Sequence, residues 1–302
     1  MLKLQDAIEG LKEIKDESVD CIIIDPPYNI GKDFGNNKRK QEISKYIEWC
    51  MLWYNESKRI LKPSGSMFIY GFSEILAHIS VNIDLEHRWL IWHYTNKTVP
   101  SLNYWQRSHE SILAIWKDKG KRIYNRDDVR EPYTDQFVKG YSNGKRKRPA
   151  TKGRFGEEET TYVVNDKGAL PRDVIKISSL AGGSGQRFFY NKKDQVLMTS
   201  KQVKQILKAQ DKEEPEYKKE DFLSHPTQKP IAITEKLLDS CVPKGNVKVV
   251  IPFCGTGSEC YVCEQRGYEW ISYEINEDYF NMANLLVKDG FPKNPPKNKN
   301  TP

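Results

Sequence analysis

A short run of mostly apolar, β-branched residues, Val19 to Ile24, most constrains how this chain can fold. Apolar side chains at consecutive positions predict a strand that is covered on both faces, as in a parallel sheet. The run stops abruptly at Asp25-Pro26-Pro27-Tyr28. Residues 42–61 follow with apolar positions at helical spacing, so the chain alternates between strand and helix. This alternation predicts a layered α/β domain.

The chain has 302 residues, which allows one large domain or one domain with a sizeable insertion. The alternation of strand and helix occupies both ends of the chain and fades between about residues 117 and 223. Further strands are predicted over 66–70, 89–93, 111–116, 246–251 and 270–273, and further helices over 200–210 and 231–241. The sequence therefore predicts one α/β domain that is interrupted by an inserted segment.

The middle of the chain carries its excess positive charge. The formal net charge of the protein is +7, and residues 121–193 alone contain 17 Lys and Arg against 9 Asp and Glu. Lys145–Arg148 is the densest basic cluster of this segment. A confined positive surplus permits a polyanionic partner, and a solvated basic loop is the simpler alternative.

Asp25-Pro26-Pro27-Tyr28 stands where a predicted parallel strand ends, and ligands of open α/β sheets bind at that edge. Two successive prolines fix the backbone and have no N–H group, so their carbonyls can accept hydrogen bonds. A carboxylate beside such carbonyls forms a set of acceptors for an –NH2 group, and Tyr28 offers a flat face for stacking. This pattern is typical of a site for a planar base with an exocyclic amine, and an ordinary tight turn is the alternative.

A glycine motif, Phe253-x-Gly255-x-Gly257, lies between a predicted strand and a predicted helix. Glycines at such a turn let the backbone approach a ligand, and the start of the helix presents free N–H groups. Glu274 ends the next strand, where a carboxylate can accept hydrogen bonds from a ribose diol. The combination indicates a cofactor that contains a nucleoside, and the alternative is a glycine turn with a surface glutamate.

The cysteines and the apolar runs limit the class of protein. Six cysteines are too few and too scattered for a disulfide framework, and they suit a reducing compartment. Cys260 and Cys263 have no second pair at zinc-site spacing, so we expect packed helix side chains and no metal. The apolar runs are too short to span a bilayer, and the N-terminus carries no export signal. We therefore expect a cytoplasmic protein without a membrane partner.

In these motifs the chain resembles the amino-methylating DNA methyltransferases of the beta group, which use S-adenosylmethionine. In that group the Asp-Pro-Pro-Tyr motif precedes the glycine motif, which is a circular permutation of the usual methyltransferase order. The same order is found here, with the group's characteristic hexapeptide HPTQKP at His225–Pro230. The resemblance covers residues 1–116 and 224–290.

The resemblance implies a seven-stranded, Rossmann-like methyltransferase sheet with helices on both faces. Residues 1–116 and 224–290 would form the catalytic and cofactor-binding domain, and residues 117–223 the target-recognition segment. Residues 291–302 are rich in Pro, Lys and Asn, a composition that predicts a disordered tail. The predicted partner is double-stranded DNA. A cognate restriction endonuclease is a candidate partner and a homodimer a candidate assembly, because members of the group often dimerise.

The resemblance also implies roles for individual residues. Asp25 and the carbonyl of Pro26 would bind the amino group that is methylated, with Pro27 in the same motif, and Tyr28 would stack on the extruded base. Asp6 would lie beside the cofactor's adenine and Glu274 would hold its ribose. The other implied cofactor residues are Asp25, Thr227, Gln228, Lys229, Phe253, Gly255 and Gly257. The charge of the middle segment, rather than the resemblance, predicts the DNA contacts: Lys145, Arg146, Lys147 and Arg148 would contact phosphates, and Gln186, Arg187 and Asn143 are candidates for reading base edges.

The chain departs from the group at the glycine motif. Many members have Asp-Pro-Phe there, whereas this chain has Ile251, which cannot accept a hydrogen bond from the cofactor's ammonium group. The usual Thr-Thr pair is replaced by Ser258 and Glu259, which brings a charge near the pocket. These departures favour either a weaker cofactor site or one in which Asp25 serves both ligands.

The predicted activity is transfer of a methyl group from S-adenosylmethionine to adenine N6 in DNA, by direct transfer to a flipped-out base. Methylation of cytosine N4 is the nearest alternative, but the group usually has Ser at the position of Asp25 for that substrate. An RNA or protein-amide methyltransferase is a further alternative. A catalytically silent DNA-binding subunit is also open, and Ile251 is the residue that favours it.

Overall fold

A computed structural model describes residues 1–29, 40–94, 96, 101–140, 145–148, 160–180, 185–210 and 215–293. Asn143 and residues 294–302 of the predicted tail lie outside these ranges. Within them, no helix is long and apolar enough to cross a membrane.

The N-terminal third alternates strand and helix as predicted. The predicted strand Val19–Ile24 is confirmed at its bounds, and all six residues are buried. The predicted helix over 42–61 is confirmed as Ile43–Ile60. The elements of this part are β1 Leu2–Leu4, α1 Ala7–Lys12, β2 Val19–Ile24, α2 Ile43–Ile60, β3 Leu61–Gly71, α3 Ser73–Ser80, β4 His87–His93 and β5 His109–Trp116.

The C-terminal part returns to the same pattern, and the predicted helix 231–241 is confirmed. Several helices begin at a side chain that accepts hydrogen bonds from the backbone. Asn276, for example, caps the last helix by accepting from the backbone N–H of Tyr279 at 3.0 Å. The elements are α6 Ile231–Cys241, β12 Lys248–Ile251, α7 Ser258–Gln265, β13 Glu269–Glu274 and α8 Glu277–Asp289.

The middle segment forms short strands and helices. Residues 188–199 and 222–223 make a three-stranded antiparallel sheet, and Lys145–Arg148 pairs with Thr160–Val163 in a separate two-stranded one. The elements are α4 Asp135–Lys139, β6 Lys145–Arg148, β7 Thr160–Val163, β8 Val174–Lys176, β9 Phe188–Asn191, β10 Val196–Thr199, α5 Ser200–Ala209, a 3₁₀ turn Lys219–Asp221 and β11 Phe222–Leu223.

The main sheet has eight strands in the order β1-β13-β12-β2-β3-β5-β4-β8. Five neighbouring strands of this order run parallel to one another: β1, β13, β12, β2 and β3. The strand β5 is antiparallel to both of its neighbours, β3 and β4. The predicted α/β methyltransferase fold is confirmed, with one strand more than the expected seven. The additional strand is β8 from the middle segment, which pairs with β4 and so satisfies the backbone groups of that edge.

Helices cover both faces of this sheet, as the apolar run of β2 predicts. Cys21 and Ile23 pack into a cluster with α6 and α7 on one face. Ile22 and Ile24 pack into a second cluster with α1, α2 and α3 on the other face. Because β2 lies between two buried layers, the end of the strand is held rigidly at the carboxyl edge of the sheet.

Candidate active site

The two predicted motifs meet at one cavity. The strand β12 lies between β2 and β13, so the loops that follow these three parallel strands emerge at the same edge of the sheet. They surround a cavity of about 310 Å³, which is at the lower end of the range for small-molecule sites. The structure brings these predicted residues to its wall: Asp6, Asp25, Pro26, Pro27, Thr227, Gln228, Lys229, Phe253, Gly255 and Glu274.

The carboxylate of Asp25 is held by two donors. The ammonium of Lys229, which is 204 residues away in the chain, lies 2.7 Å from Oδ2, and the hydroxyl of Tyr28 donates to Oδ1. A carboxylate has about four acceptor sites on its two oxygens, so Asp25 keeps the capacity to accept further N–H groups. Tyr46 donates to the Pro27 carbonyl at 2.8 Å, which fixes the loop after β2.

Lys229 joins a second carboxylate to this group. Its side chain is only 2% exposed, and its ammonium lies 3.5 Å from Oε2 of Glu110 at the start of β5. The hydroxyl of Tyr28 lies 3.2 Å from the same oxygen of Glu110, so its single proton is shared between Asp25 and Glu110. Burial lowers the pKa of Lys229, but Asp25 and Glu110 outweigh it and raise the pKa above the ordinary value of lysine. Lys229 is therefore a charged lysine, and the cluster contains two carboxylates and one ammonium.

The side chain of Tyr28 is buried. It is 2% exposed, its ring packs edge-on against Phe72 at 5.2 Å, and Lys229 lies 5.3 Å from its centroid. Burial, followed by the charges of Asp25 and Glu110, raises the pKa of Tyr28 well above its usual range, so the hydroxyl keeps its proton and remains a donor. Stacking on a base stays a prediction, because it requires the ring face to become accessible.

The two glycines of the turn have different roles: one lines the cavity, and the other allows a helix to pack closely. Gly255 has φ +55° and lines the cavity, and its N–H donates to Glu274 Oε2 at 2.9 Å. Gly257 is not among the residues that line it, and its contact with the cofactor stays a prediction. It has φ +80°, and a Cβ there would stand 2.8 Å from the Cβ of Ala283, so this glycine allows α8 to pack closely.

Two predicted acids of the cavity wall, Asp6 and Glu274, also accept hydrogen bonds from backbone N–H groups. Glu274 accepts from the N–H groups of Ile275 and Asn276, and burial raises its pKa. Asp6 caps α1 by accepting from the N–H groups of Ile8 and Glu9 at 2.8 and 3.2 Å. Both carboxylates are thus held in fixed orientations at the cavity wall.

The predicted hexapeptide connects this wall to the middle segment. The side chain of Gln228 donates to the Gln186 carbonyl at 2.7 Å, and the backbone carbonyl of Thr227 accepts from Lys229 at 3.2 Å. Burial lowers the pKa of His225 to about 4, so this cavity-lining imidazole is neutral at pH 7. The side-chain oxygen of Gln186 also accepts from the N–H of Ile231 at 3.2 Å, and the contact of Gln186 with a base stays a prediction.

The sequence did not predict the contact of Glu110 with Lys229 or the burial of Glu259. Only the pairing of β5 with β3 brings Glu110 to the edge of the sheet near Asp25. Two residues shortly before Glu110 in the sequence have different surroundings. Arg107 stacks over Phe72 at 4.3 Å, whereas Trp105 is 88% exposed. Glu259 lines the cavity, whereas Ile251 is buried in the apolar cluster below it.

Among the predicted DNA contacts, Arg187 does not line this cavity. Lys145, Arg146, Lys147 and Arg148 form β6, and Arg187 immediately precedes β9. The cysteines do not form a site in the described part of the chain. All six are buried and free, and no group of three or more His, Cys, Asp or Glu there could hold a metal ion.

Comparisons with known proteins agree with this geometry. The N6_N4_Mtase family model, described as DNA methylase, matches residues 19–285. The chain is 27% identical over 290 residues to the type II methyltransferase M.HpaI of Haemophilus parainfluenzae, covering 94% of this chain and 73% of that protein. It is 25% identical over 282 residues to the DNA adenine methyltransferase YhdJ of Escherichia coli K12, covering 92% and 79%.

Two solved structures share the fold. The PvuII DNA methyltransferase, named as cytosine-N4-specific, superposes with a TM-score of 0.61 at 14% identity, covering 94% of this chain and 84% of that one. TTHA0409 of Thermus thermophilus, a putative DNA modification methylase solved with S-adenosylmethionine, gives 0.55 at 16% identity and covers 96% and 94%. Since the family model spans most of the sequence, the chain belongs to the N6/N4 DNA methylase family and is a DNA methyltransferase.

Proposed function

We propose that this methyltransferase transfers a methyl group from S-adenosylmethionine to the N6 amino group of adenine in DNA. One observation carries the proposal: Asp25 and the glycine turn, which are far apart in the chain, line a single cavity. A bound methyl donor and an amine on the Asp25 acceptors would therefore be neighbours.

The charge of the cavity wall fits this cofactor. The wall contains the carboxylates of Asp6, Asp25, Glu259 and Glu274. Among the described residues of the wall, Lys229 is the one lysine, and it is already paired with Asp25 and Glu110. His225 is neutral. Such a surplus of negative charge favours a ligand with positive groups, and S-adenosylmethionine carries a sulfonium and an ammonium. Glu274 and Asp6 would hold its adenosine end, and Thr227, Gln228, Lys229, Phe253 and Gly255 would line the remainder.

The bound cofactor supplies an activated methyl group, and the chain supplies the acceptors for the amine. Asp25 and the Pro26 carbonyl accept the two N–H groups of the target, which favours a more tetrahedral nitrogen and a more available lone pair. The ammonium and two carboxylates of the cluster sum to one negative charge. This charge stabilises the positive charge that develops on the attacked nitrogen. Fixed placement of both reactants provides the rest of the rate enhancement.

The identity of the first acceptor supports adenine over cytosine. A full carboxylate stands at Asp25, where related cytosine-N4 enzymes usually have a serine hydroxyl. The similarity to YhdJ, which is named as a DNA adenine methyltransferase, points the same way. Cytosine N4 carries the same kind of amine and is the alternative outcome of the test below.

The target base must leave the duplex to reach this edge of the sheet. Tyr28 is the aromatic side chain nearest to the acceptors, and we propose that movement of Phe72 and Tyr28 would expose its ring for stacking. Residues 117–223 would recognise the target, with Lys145–Arg148 contacting phosphates and giving affinity without sequence readout. Arg187 would be a candidate for reading base edges. A cognate restriction endonuclease and a homodimer stay predictions.

Sequencing tests the proposed base and position together. A plasmid that expresses the full chain is propagated in a host without other DNA methylation, and its modified bases are read directly. We expect N6-methyladenine within one sequence motif, and none in a plasmid that expresses Asp25→Ala. N4-methylcytosine would replace the proposed substrate. Unmodified DNA, together with no binding of S-adenosylmethionine in calorimetry, would identify a silent DNA-binding subunit.

A further inference from the structure

Glu259 is a buried carboxylate for which the proposed transfer reaction has no use. It lies in the first turn of α7, is 5% exposed and lines the same cavity as Asp25. Its Oε1 has no hydrogen-bond partner within the described part of the chain. A buried carboxylate oxygen without a donor is unfavourable, and natural proteins keep few of them. An acceptor of this kind on a cavity wall indicates that a ligand supplies the donor.

The chemistry of the missing donor follows from the rest of the wall. The nearby ammonium of Lys229 is already engaged by Asp25 and Glu110, so it does not serve Glu259. A sulfonium carries positive charge but has no N–H group. An ammonium has three N–H donors and forms a charge-assisted hydrogen bond with a carboxylate.

We propose that Glu259 binds the ammonium group at the methionine end of S-adenosylmethionine. This inference rests on the proposed function, in which that compound is the cofactor. It also assigns a carboxylate to the ammonium in a chain whose Ile251, buried and apolar, cannot supply one.

The position of Glu259 gives the bound cofactor a direction. Burial and the charge of Asp25 raise the pKa of Glu259 to about 7, and Lys229 opposes the shift, so these three side chains are electrostatic neighbours. Glu274, in contrast, is surrounded by backbone N–H groups. With the ammonium on Glu259, the methionine end would lie on the Asp25 side of the cavity, which leaves the part of the wall at Glu274 for the adenosine.

Three adenosine compounds separate the ammonium from the other groups of the cofactor. S-adenosylmethionine carries two positive groups, the ammonium and the sulfonium. Of these two, S-adenosylhomocysteine keeps only the ammonium, and 5′-methylthioadenosine has neither. Binding of each is measured by calorimetry at pH 8 to the full chain and to Glu259→Gln. We expect Glu259→Gln to weaken the first two about tenfold or more and to leave 5′-methylthioadenosine unchanged. Glu264→Gln, on the exposed side of the same helix, is the matched control and should bind all three as the wild type does.

Three results would overturn the inference. The first is unchanged binding of S-adenosylhomocysteine by Glu259→Gln, and the second is an equal loss for 5′-methylthioadenosine, which would show a change of cavity shape. The third is a lower thermal midpoint of the ligand-free variant, because removing an unpartnered buried charge should leave the fold at least as stable. Failure of the wild type to bind S-adenosylmethionine would refute the proposed function instead, so the two failures are distinguishable.

Discussion

At the scale of single residues, the buried ammonium of Lys229 offsets the charge repulsion between the carboxylates of Asp25 and Glu110. We expect Lys229→Met to lower the free energy of unfolding by about 3–5 kcal/mol, because it leaves Asp25 and Glu110 without the buried ammonium between them. Urea unfolding measures the change. Lys12→Met, which removes a lysine from a surface pair with Glu9, is the control and should leave the midpoint unchanged. A Lys229 variant as stable as the control would show that the carboxylates do not need this charge.

Glu259 makes cofactor binding depend on pH. With its pKa raised to about 7, this carboxyl is protonated at pH 6 in the free protein, and it must lose that proton to bind an ammonium. We expect the affinity for S-adenosylmethionine to fall by up to about tenfold per pH unit as the pH drops below 7. His225, with a pKa of about 4, does not titrate in this window, and Lys229 stays charged. Calorimetry between pH 6 and pH 8 measures the slope, and an equal slope in Glu259→Gln would assign it to another group such as Glu274.

The same titration has an effect of opposite direction on the stability of the free protein. Between pH 4.5 and about 7 the folded chain holds a proton on Glu259 that the unfolded chain releases. Raising the pH through this window therefore favours unfolding, and the contribution of Glu259 to stability declines. Urea midpoints of the wild type should fall relative to those of Glu259→Gln as the pH rises from 5 to 7. Parallel curves for the two proteins would contradict a raised pKa.

The acceptor motif and the glycine turn could be recognised from the sequence because each is a compact pattern at the end of a strand. The partners of Asp25 could not. Lys229 was expected to border the cofactor, but its bond to Asp25 spans 204 residues and depends on how the sheet closes. Nothing in the sequence distinguishes Glu110 from the other acidic residues. It comes close to Asp25 because β5 pairs with β3, which brings the start of β5 to the carboxyl edge of β2.

At the scale of elements, Gly257 controls how α7 and α8 pack. We expect Gly257→Ala to cost about 2–3 kcal/mol, since the alanine must adopt φ +80° and its Cβ meets Ala283 at 2.8 Å. Gly267→Ala is a matched control, because Gly267 also has a positive φ of +64° but nothing lies within 4 Å of the added Cβ. Thermal unfolding should show a clearly larger loss for Gly257→Ala. Equal losses would mean that backbone strain alone explains the effect.

Long amphipathic or mostly apolar elements were the ones that the sequence predicted well. β2 and α6 match their predicted bounds because burial on known faces determines their patterns. The three residues of β1 and of β8 carry no periodicity that could be read, and they become strands only by pairing with β13 and β4. Tertiary pairing, rather than local propensity, decides such short elements.

At the scale of the whole molecule, the positive surplus of the middle segment should act on DNA as a polyelectrolyte. We expect neutralising Lys145–Arg148 to reduce the slope of log K against log salt by roughly 0.9 for each phosphate that the strand β6 neutralises in the wild type. Fluorescence anisotropy with a labelled duplex at several salt concentrations measures this slope. Neutralising Lys12 and Lys15 removes charge outside the segment and should leave the slope unchanged. An unchanged slope in the first variant would leave β6 as a solvated basic strand.

The topology of the whole chain brings two distant motifs to one site. Strand order, which no local pattern encodes, puts β12 between β2 and β13 and so closes the cavity. A crystal structure of the full chain with S-adenosylmethionine tests the claim most directly. We predict the cofactor in this cavity, with its adenosine beside Glu274 and Asp6, its methyl group toward Asp25 and its ammonium on Glu259. A cofactor bound outside the cavity, or bound with its adenosine toward Asp25, would contradict the account.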